Sequence, residues 1–494
     1  MLQPEELIAR TLRVLEGRGV QAWLVGGWVR DRLLGRETHD IDFALPAEAS
    51  IVARQVADVV GGAFVLLDVE RDTARVIVGP RQAPVLLDFA VLRAPSIDAD
   101  LLARDFTVNA LAIAASQWNM PEPEIIDPTG GRRDLALGVL RAVSADAFRE
   151  DPLRLLRAVR LVALLGFELE SETAIWAERD AELLDAVSRE RVRDELVLMM
   201  DLPPVRRSLE LLDSLGLLAQ VLPELAPRRA AAGPGEAGAL EHTLRTVDAL
   251  EKLRGWLAGG SLTDLGWAGE TLEAGLGQYR AALAEHMAAI LPGGRRVDTI
   301  LMLAALLHEV GKEADGREGA PREARLLGHE VLSASLAATI LRRLCFSSTE
   351  TVRVRLAVRN RTRPIQLAQE VEGEPSRRAI YRFFQDAQPA GLEVILLSLA
   401  DHLATGGKAL VREHWQRHLK VSRALLAAYF ERRQEVVDPA PLVDGREVMA
   451  AFGLAPGPEV GRLLDGIREA QAAGEVRSRE EALQLAGRLL QRES

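Results

Sequence analysis

The stretch LVGGWVRDRLLGRETHDIDFAL, residues 24–45, decides the fold class, because an apolar strand ends at two glycines and a second strand carries two aspartates around one isoleucine. Side chains two residues apart on a strand project from the same face, so Asp40 and Asp42 point together while Ile41 points toward a core. Two carboxylates this close repel each other and are best stabilised by a cation. Oxygen ligands suit Mg²⁺, so the spacing predicts that both aspartates bind Mg²⁺.

The glycine pair before these aspartates has the features of a phosphate-binding turn. Gly26 and Gly27 follow the first strand directly, and glycines let backbone N–H groups approach a phosphate chain because no Cβ intervenes. Arg30 follows at a distance suited to a charge-assisted contact with phosphate oxygens. Alone, each feature is better explained as an ordinary turn or a solvated strand edge. Together, in this order and within twenty residues, they favour a site for a metal ion and a nucleotide.

The composition indicates a globular and largely helical chain. Its 494 residues suggest three or four domains, and 48% hydrophobic with 27% charged residues is typical of a globular protein. Aromatic residues reach only 4%, and the abundance of Ala, Leu and Arg favours helices. The net charge of −11 argues against a protein coated in basic surface, but it does not exclude local patches that bind nucleic acid.

The cellular location is predicted from the cysteine content and the absence of targeting patterns. Cys345 is the single cysteine, which excludes an internal disulfide and fits a reducing cytoplasm. The first twenty residues carry no basic-then-apolar signal, and no apolar run is long enough to span a membrane. We therefore expect a cytoplasmic protein with no membrane partner.

The order of strand-like and helical segments predicts an α+β fold. Residues 5–17 have a helical pattern, and the runs DIDFAL, AFVLLD, ARVIVG and PVLLDFAVL, each bounded by Gly, Pro or charge, have the pattern of strands. From Asp146 the hydrophobic period changes to 3.6, which predicts amphipathic helices at 150–170 and 190–201; a flexible boundary is expected at 226–240. The predicted domains are a small mixed α/β head (1–145), a helical neck (146–225), a helical body (240–433) and a helical tail (434–494).

A third carboxylate, Asp88 in LLDFAVL, belongs to a later predicted strand that is able to pair beside the strand of Asp40 and Asp42. In two-metal phosphoryl transfer a third carboxylate acts on the attacking hydroxyl or bridges the second metal. A residue at a strand end is the alternative explanation for Asp88, and the neighbouring motifs favour the catalytic one.

Four ordered motifs resemble those of a known family. GGWVRD…HDIDF, then ARDFTVNALA (103–112), EDPLRLLRAVRLVALLGF (150–167) and SRERVRDEL (188–196), resemble the class II tRNA nucleotidyltransferase and bacterial poly(A) polymerase family of the DNA polymerase β-like superfamily. The resemblance covers about residues 5–225. It implies catalytic or metal-binding roles for Asp40, Asp42 and Asp88. It implies nucleotide-binding roles for Gly26, Gly27, Arg30, Arg104, Asp105, Asn109, Asp151, Arg154, Arg157 and Arg160.

Within this resemblance, Asp151 and Arg154 match the pair that reads the incoming base. An aspartate accepts a hydrogen bond from an exocyclic amino group, and an arginine donates to ring nitrogen or carbonyl acceptors. Cytosine and adenine both offer an amino group beside an acceptor nitrogen, whereas uracil and guanine present a different pattern. Arg154, Arg157 and Arg160 recur close to one helical face. The alternative is a solvated face, or ion pairs with Glu150 and Asp151.

A second constellation resembles the HD superfamily of metal-dependent phosphohydrolases over about residues 240–405. The matching residues are His242, His308, Glu309, His329, Asp401 and His402. The match is degenerate, because the central His-Asp doublet is replaced by His308 and Glu309, and VRNRTRP has arginines where an active member keeps a histidine. A glutamate reaches one methylene further than an aspartate, and metal geometry tolerates this poorly. We expect a possible second metal site at His242, His308, Glu309 and Asp401, in a helical domain that mainly positions RNA.

The motifs together predict template-independent addition of CMP or AMP, from CTP or ATP, to the 3′ end of tRNA. Rival functions are a poly(A) polymerase on general RNA ends, an HD phosphohydrolase and a non-catalytic RNA-binding module; clustered carboxylates, which repel RNA, argue against the last. The short connection APSIDADLL between LLDFAVLR and ARDFTVNA favours partial addition, CC or A alone. In the tail, PGPEVG precedes a helix whose first N–H groups are able to hold an RNA phosphate, unless this is an ordinary proline-initiated helix.

Overall fold

A computed structural model describes residues 3–80, 84–225, 239–312, 329–370, 373–407 and 410–493. The predicted strand DIDFAL forms the second strand of a mixed sheet near the N-terminus. The strands, in chain order, are β1 Trp23–Val25, β2 Asp40–Leu45, β3 Ala63–Asp68, β4 Thr73–Val78, β5 Val85–Val91, β6 Ala112–Ala114, β7 Ile125–Ile126, β8 Val139–Leu140 and β9 Glu168–Leu169.

Seven of these strands form one sheet in the order β3-β4-β5-β2-β1-β6-β7. Strands β2 and β5 are parallel, and the other neighbours in this sheet are antiparallel. Strands β8 and β9 pair in parallel as a second, two-stranded sheet. All four runs that were predicted as strands are confirmed by this pairing.

The side chains of β2 alternate as the sequence predicted. Ile41 and Phe43 are buried, and the Phe43 ring stacks on Phe89 of β5 with the two ring centroids 5.0 Å apart. The helix Ala49–Val60 covers this face of the sheet against β3, β4 and β5. Asp40 and Asp42 therefore project from the opposite face. Ala44 of the same strand and Val25 of β1 belong to a separate apolar cluster.

The helices of the first 225 residues surround and extend this sheet. They are α1 Pro4–Gly17, α2 Gly27–Leu33, α3 Ala49–Val60, α4 Ile97–Leu102, α5 Gly131–Leu137, α6 Ala147–Glu150, α7 Arg154–Leu165, α8 Ser171–Arg179, α9 Arg189–Met200, α10 Val205–Ser214 and α11 Leu217–Val221. The predicted helix at 5–17 is confirmed by α1.

The later described residues are helical. Their helices are α12 Ala239–Leu257, α13 Trp267–Leu276, α14 Arg280–Ala288, α15 Val297–Leu307, α16 His329–Arg343, α17 Ser348–Asn360, α18 Arg363–Glu370, α19 Arg377–Ala387, α20 Gly391–Gly406, α21 Arg412–Glu431, α22 Gly445–Phe452, α23 Pro458–Ala473 and α24 Arg479–Glu493. A short π-helix spans Arg433–Val437. Within the described ranges, no helix is long and apolar enough to cross a membrane.

The chain divides into two compact units, Met1–Glu195 with Glu210–Val221, and Leu196–Leu209 with Leu222–Ser494. This division is coarser than the four predicted domains, whose boundaries stay predictions. A boundary was expected at 226–240, and residues 226–238 of it lie outside the described residues. Helices α22, α23 and α24 share a local apolar core in which Val448, Ile467 and Ala486 are buried.

One predicted helix is interrupted. The amphipathic pattern at 150–170 predicts a continuous helix, but α6 ends at Glu150 and α7 begins at Arg154. The prediction is also wrong at its end, because α7 stops at Leu165 before Gly166 and Glu168–Leu169 forms β9. Between α6 and α7, Asp151 is extended, with φ −145° and ψ 98°. The residue before a proline is sterically excluded from the helical region, so Pro152 forces this break.

Candidate active site

Three charged side chains form a row across neighbouring strands. Strand β5 places Asp88 directly opposite Asp42 of β2, and β4 places Arg75 directly opposite Asp88. Residues directly opposite each other in a sheet project from the same face, so Asp42, Asp88 and Arg75 lie side by side. Asp40, two residues before Asp42, shares that face. The structure thus brings together the three carboxylates that the sequence singled out.

The shared environment raises the pKa of two of these carboxylates. Burial raises the pKa of Asp42 to about 6, nearby Asp88 adds to the effect, and Arg104 opposes it. Burial also raises the pKa of Asp40, with Arg75 opposing and Asp88 reinforcing the change. Like charges that crowd together favour protonation unless a cation neutralises them. A donor set of crowded carboxylates fits a divalent cation of the Mg²⁺ type, which is bound through oxygen.

The glycine turn keeps the space above Asp42 open. Gly26 has φ +68°, a left-handed conformation that favours glycine. A Cβ on Gly26 would lie 3.1 Å from Nη1 of Arg104 and 3.3 Å from Oδ2 of Asp42. The Gly26 N–H donates to the carbonyl of Leu111, and α2 begins at Gly27. Because Gly26 has no side chain, the space beside Asp42 and Arg104 is left open for a ligand.

Arg30, the residue predicted to bind phosphate, is buried, and three of its N–H groups donate hydrogen bonds to neighbouring side chains. Its Nη1 donates to Oδ1 of Asn109 at 2.7 Å, and its Nε and Nη2 donate to the two carboxylate oxygens of Asp31 at 2.8 Å each. Arg30 therefore fixes the amide of Asn109, another residue singled out by the sequence. These contacts use three of the five N–H donors of the guanidinium, so they do not exclude a contact between Arg30 and a phosphate.

Arg104 and Asp105 are held by two different charged partners. The Arg104 guanidinium donates from Nε and Nη2 to Oδ2 of buried Asp100, at 3.2 and 3.1 Å. Asp105 contacts Nη2 of Arg157 through its Oδ2 at 3.1 Å. Burial is the largest single influence on Asp105 and acts to raise its pKa, but Arg157, the backbone N–H of Phe106 and the nearby Arg154 and Arg104 together lower it. The pKa of Asp105 is therefore shifted in the opposite direction to that of Asp42.

The three arginines of the predicted ladder lie on α7, and each has an acidic partner. Arg154 contacts Glu150 at 3.0 Å, Arg157 contacts Asp105, and Arg160 donates to Glu195 at 2.6 Å. Arg154 is also buried, where it donates to the backbone carbonyls of Ala103 and Ala147, each at 3.1 Å. The ion pair of Arg154 with Glu150 is the alternative that the sequence left open. These contacts fix the arginines without excluding a ligand on their remaining edges.

Asp151 is paired with an arginine that the sequence did not single out. Nη2 of Arg191 lies 3.2 and 2.9 Å from the two oxygens of Asp151, and the Leu153 N–H also donates to Asp151. Arg191 is part of the SRERVRDEL motif, but its target lies forty residues earlier. The other unforeseen partners are Arg75, Asp100 and Glu195. The signal for Arg75 was the strand alternation in TARVIV, and the rest depend on tertiary contacts.

The second constellation assembles inside the helical unit. Nε2 of His242 lies 2.9 Å from Oδ1 of Asp401, and Nε2 of His308 lies 3.7 Å from the same oxygen. One ligand atom each from His242, His308 and Glu309 lies within 4.8 Å of the others, a spacing able to hold a metal ion. Burial acts to raise the pKa of Asp401, but His242 and His308 outweigh burial and lower it.

An arginine from the VRNRTRP segment enters this cluster. Arg361 is 1% exposed, and its Nη2 donates to Oε1 of Glu309 at 2.9 Å. Its Nε lies 3.9 Å from Oδ2 of Asp401. Nζ of Lys312 lies 2.9 Å from the other oxygen of Glu309. Two cations thus balance two carboxylates, so the cluster satisfies its charge with protein groups, and the Glu309 oxygens fit a metal ion poorly.

The two remaining histidines of the constellation differ from each other. Nε2 of His329 lies 3.9 Å from Oε1 of Glu309, at the edge of the cluster. His402 turns away from it, because Nδ1 of His402 lies 3.0 Å from Nδ1 of His418 on α21. His418 in turn lies 3.1 Å from Oγ of Ser398. His402 therefore belongs to a separate buried pair.

Three families match successive parts of the chain. The Poly A polymerase head domain matches residues 22–141, the probable RNA and SrmB-binding site of polymerase A matches 166–228, and the HD domain matches 280–406. The first contains the carboxylate row and the glycine turn. The third contains His308, Glu309, Arg361 and Asp401.

Whole-length relatives have been characterised under two different product names. The CC-adding tRNA nucleotidyltransferase of Geobacter sulfurreducens is 33% identical, over 94% of this chain and 91% of that protein. The A-adding tRNA nucleotidyltransferase of Deinococcus radiodurans is 34% identical, over 93% and 94%. A solved CCA-adding enzyme in complex with ATP shares the fold, with a TM-score of 0.62, 19% identity and coverage of 99% and 96%.

The carboxylate row, the open glycine turn and these matches define a nucleotidyltransferase. The chain belongs to the class II tRNA nucleotidyltransferase family, and it is an enzyme of that kind. The predicted α+β architecture and the predicted family are both confirmed.

Proposed function

We propose that this chain adds nucleotides from CTP or ATP to the 3′ end of tRNA, without a nucleic-acid template. The observation that carries the proposal is the register that places Asp88 opposite Asp42, with Asp40 on the same face beside the open turn at Gly26. The names of the whole-length relatives support tRNA as the acceptor. Clustered carboxylates have no use in a protein that only binds RNA, since they repel its phosphates.

The chain's own groups have distinct tasks in this proposal. Asp40 and Asp42 would hold Mg²⁺, which would neutralise charge on the triphosphate and favour attack by the 3′-hydroxyl on the α-phosphate. Asp88 is proposed to accept the proton of that hydroxyl. The turn at Gly26 and Gly27 leaves room for the triphosphate, while Arg30 orients Asn109 toward the sugar. Pyrophosphate is the leaving group.

Base selection is assigned to the break between α6 and α7. Asp151 is extended there and is held by Arg191, so its carboxylate is fixed without being part of a regular helix. Arg154 is anchored by Ala103 and Ala147 beside it. A rigid acceptor next to a rigid donor suits the edges of cytosine and adenine. Pre-organised side chains of this kind are able to replace a template.

For the product, we propose partial addition. The connection APSIDADLL forms α4, whose N-terminal Ser96 accepts from the Ala99 N–H at 3.3 Å. Asp100 ties α4 down by accepting from the Arg93 N–H at 2.8 Å and from Arg104. A short, anchored helix offers little of the mobility that a switch from C to A needs. The relatives carry both CC-adding and A-adding names at similar identity, so similarity does not choose between them.

The test uses three tRNA transcripts, ending before CCA, after C and after CC, each offered one labelled nucleotide. A CC-adding enzyme extends the first two with CMP and leaves the third unchanged. An A-adding enzyme extends only the third, with AMP. Extension of the first two transcripts with CMP and of the third with AMP would contradict partial addition, and long tails on unrelated RNA would favour the poly(A) polymerase alternative. No addition to any transcript would overturn the proposed function.

The HD-like region is proposed to serve as a scaffold. Arg361 already binds the Glu309 carboxylate that a metal ion would need, which argues against phosphohydrolase activity. For the tail, α23 begins at Pro458 after Gly457, and its first N–H groups are proposed to contact RNA phosphate. We also propose a cytoplasmic location, where tRNA ends are repaired.

A further inference from the structure

Arg75 binds Asp88, one of the three clustered carboxylates, and no motif of the sequence identifies Arg75. Its Nε donates to Oδ1 of Asp88 and its Nη2 donates to Oδ2, both at 2.7 Å. A fork of this kind fixes the plane of the carboxylate as well as its charge. On the other side of Arg75, β3 places Val65 directly opposite, so β3 offers no competing carboxylate at this register.

The charge of Arg75 acts on the whole row. Asp88, Asp40 and Asp42 each stabilise its protonated form, with the hydrogen bond to Asp88 the largest effect, so the pKa of Arg75 is raised. Three ionised carboxylates on one face carry three negative charges, and Arg75 reduces the net charge of the group to −2. Each carboxylate oxygen has two lone pairs, so Asp88 retains acceptor capacity while Arg75 is bound. The pair therefore leaves Asp88 able to meet a hydroxyl or a cation.

We propose that Arg75 is the resident counter-ion of the Asp40, Asp42 and Asp88 cluster and the positioning residue that orients Asp88. The inference rests on the proposed function, because it assigns Asp88 a task in nucleotide addition. Two consequences follow. The positive charge weakens the binding of a divalent cation to the free enzyme, and the fork holds Asp88 in one orientation toward Asp42.

The charge and the fork are separable by substitution. Arg75→Gln removes the charge and the fork, whereas Arg75→Lys keeps the charge but loses the planar, two-point contact. The double variant Arg75→Gln/Asp88→Asn removes one charge of each sign, so the net charge of the cluster is unchanged. Arg18→Gln is the matched control, because Arg18 forms an exposed ion pair with Glu48 in the same unit.

The first measurement is Mn²⁺ binding to the full-length enzyme without nucleotide. Binding is monitored through the electron paramagnetic resonance signal of free Mn²⁺. Asp42→Asn identifies which binding belongs to the row. We expect Arg75→Gln to bind Mn²⁺ about five- to tenfold more tightly, since one cation is removed from a partly screened site. Arg75→Lys, the double variant and Arg18→Gln should stay within about threefold of wild type. Unchanged or weaker binding by Arg75→Gln would overturn the counter-ion role.

The second measurement is kcat and the KM for the nucleotide at saturating tRNA. Both Arg75→Gln and Arg75→Lys should lower kcat about 10- to 100-fold with KM within about threefold, because Asp88 is no longer oriented. A merely structural role would lower the melting temperature and would be rescued by Arg75→Lys. Full activity of Arg75→Lys would overturn the positioning role. If wild type adds no nucleotide, the proposed function fails, while Mn²⁺ binding still decides the counter-ion role.

Discussion

Asp42, which we propose as a metal ligand, destabilises the folded state when it is ionised. Its pKa is raised from an ordinary 3.8 to about 6, chiefly by burial and then by Asp88. The folded state therefore holds this proton more tightly than the unfolded chain does. Stability contributed by the protonated form is present at low pH and is lost as the pH rises from about 4 to 6, by about 1.4 kcal/mol per pH unit. A bound cation would offset this loss.

Replacing the charge at Asp42 should separate activity from stability. Asp42→Asn is expected to reduce nucleotide transfer at least about a thousandfold, since a metal ligand is lost. In the absence of divalent cations the same variant should melt higher than wild type at pH 7.5 and not at pH 4. Labelled-nucleotide incorporation and thermal melting measure the two effects. Asp58→Asn, an exposed change on α3, is the control; near-normal incorporation by folded Asp42→Asn would show that Asp42 is not the metal ligand.

Asp151 tests whether protein side chains choose the base. Asp151→Ala removes an acceptor for the amino group, and the loss of one charge-assisted hydrogen bond is worth about 1.5–3 kcal/mol. We expect lower efficiency with CTP or ATP and the entry of UTP or GTP. The measurement is kcat/KM for all four triphosphates. Asp146→Asn, an exposed neighbour, is the control. A uniform loss for every nucleotide would mean that Asp151 only anchors Arg191.

For individual residues, the spacing along the chain predicted which side chains share a strand face, but it did not predict their partners on neighbouring strands. Asp40 and Asp42 are recognisable because two positions on a strand share a face whatever the strand pairs with. The partner of Asp88 depends on which strand lies beside β5 and in which register, so the alternation in TARVIV places Arg75 on a strand but does not identify it as the partner of Asp88. The engagement of Arg30 by Asn109 joins residues 79 positions apart, which the sequence pattern alone does not bring together.

Among the elements, β1 to β5 were predicted because hydrophobic alternation and flanking glycines mark them directly, whereas the strands of two or three residues, β6 to β9, were not predicted. The helices near the site were harder. The hydrophobic pattern across 150–170 is helical throughout, and the steric effect of Pro152 on Asp151 decided the break. The connection with α4 was expected only to be short, because its order comes from the buried carboxylate of Asp100 rather than from helix propensity.

Helices α20 and α21 are joined by a histidine pair that should make stability depend on pH. His418 is fully buried, and burial followed by His402 lowers its pKa to about 3; Asp401 opposes this. A depressed histidine pKa means that the unfolded chain takes up the proton first. Stability from the neutral form is therefore present above about pH 6.5 and is lost as the pH falls toward 3, by about 1.4 kcal/mol per unit.

The substitution His418→Gln tests this dependence, since an amide keeps hydrogen-bonding capacity toward Ser398 without titrating. Urea unfolding of wild type and variant at pH 7.5 and 5.5 should show a smaller loss of unfolding free energy in the variant, by about 1 kcal/mol. His414→Gln, an exposed change on the same helix, should behave as wild type. Equal losses for wild type and His418→Gln would mean that the pair does not titrate on unfolding.

For the whole molecule, the two compact units each contain one charged cluster, and the clusters solve the same problem differently. In the first unit, Asp40 and Asp42 are crowded, and their pKa values are raised, which fits a site that awaits a cation. In the second, Asp401 has a lowered pKa, and Arg361 neutralises Glu309 permanently. Residue types alone indicated that the first cluster is intact and the second degenerate. They did not indicate that Arg361 of the second cluster is buried against Glu309.

This difference predicts a division between activity and stability. Arg361→Gln leaves the buried carboxylate of Glu309 without its guanidinium partner, and breaking a buried ion pair typically costs about 3–5 kcal/mol. The expected result is a clearly lower unfolding free energy by urea titration, with nucleotide addition within a few fold of wild type at a temperature where the variant is folded. The double variant Glu309→Gln/Arg361→Gln should recover much of the stability, because both charges of the buried pair are removed together. Lys312, the other partner of Glu309, is 56% exposed and remains solvated.

Arg359→Gln provides the matched control for Arg361→Gln, because Arg359 lies two residues earlier in the same segment and is exposed. It should change neither stability nor addition. The contrary result would be informative: if Arg361→Gln abolishes addition while its melting temperature and circular dichroism are unchanged, the cluster controls the reaction and is not a scaffold. Activity lost only at temperatures where the variant unfolds would instead follow from unfolding, because Arg361 at 1% exposure and Glu309 at 6% stabilise the helices that carry them.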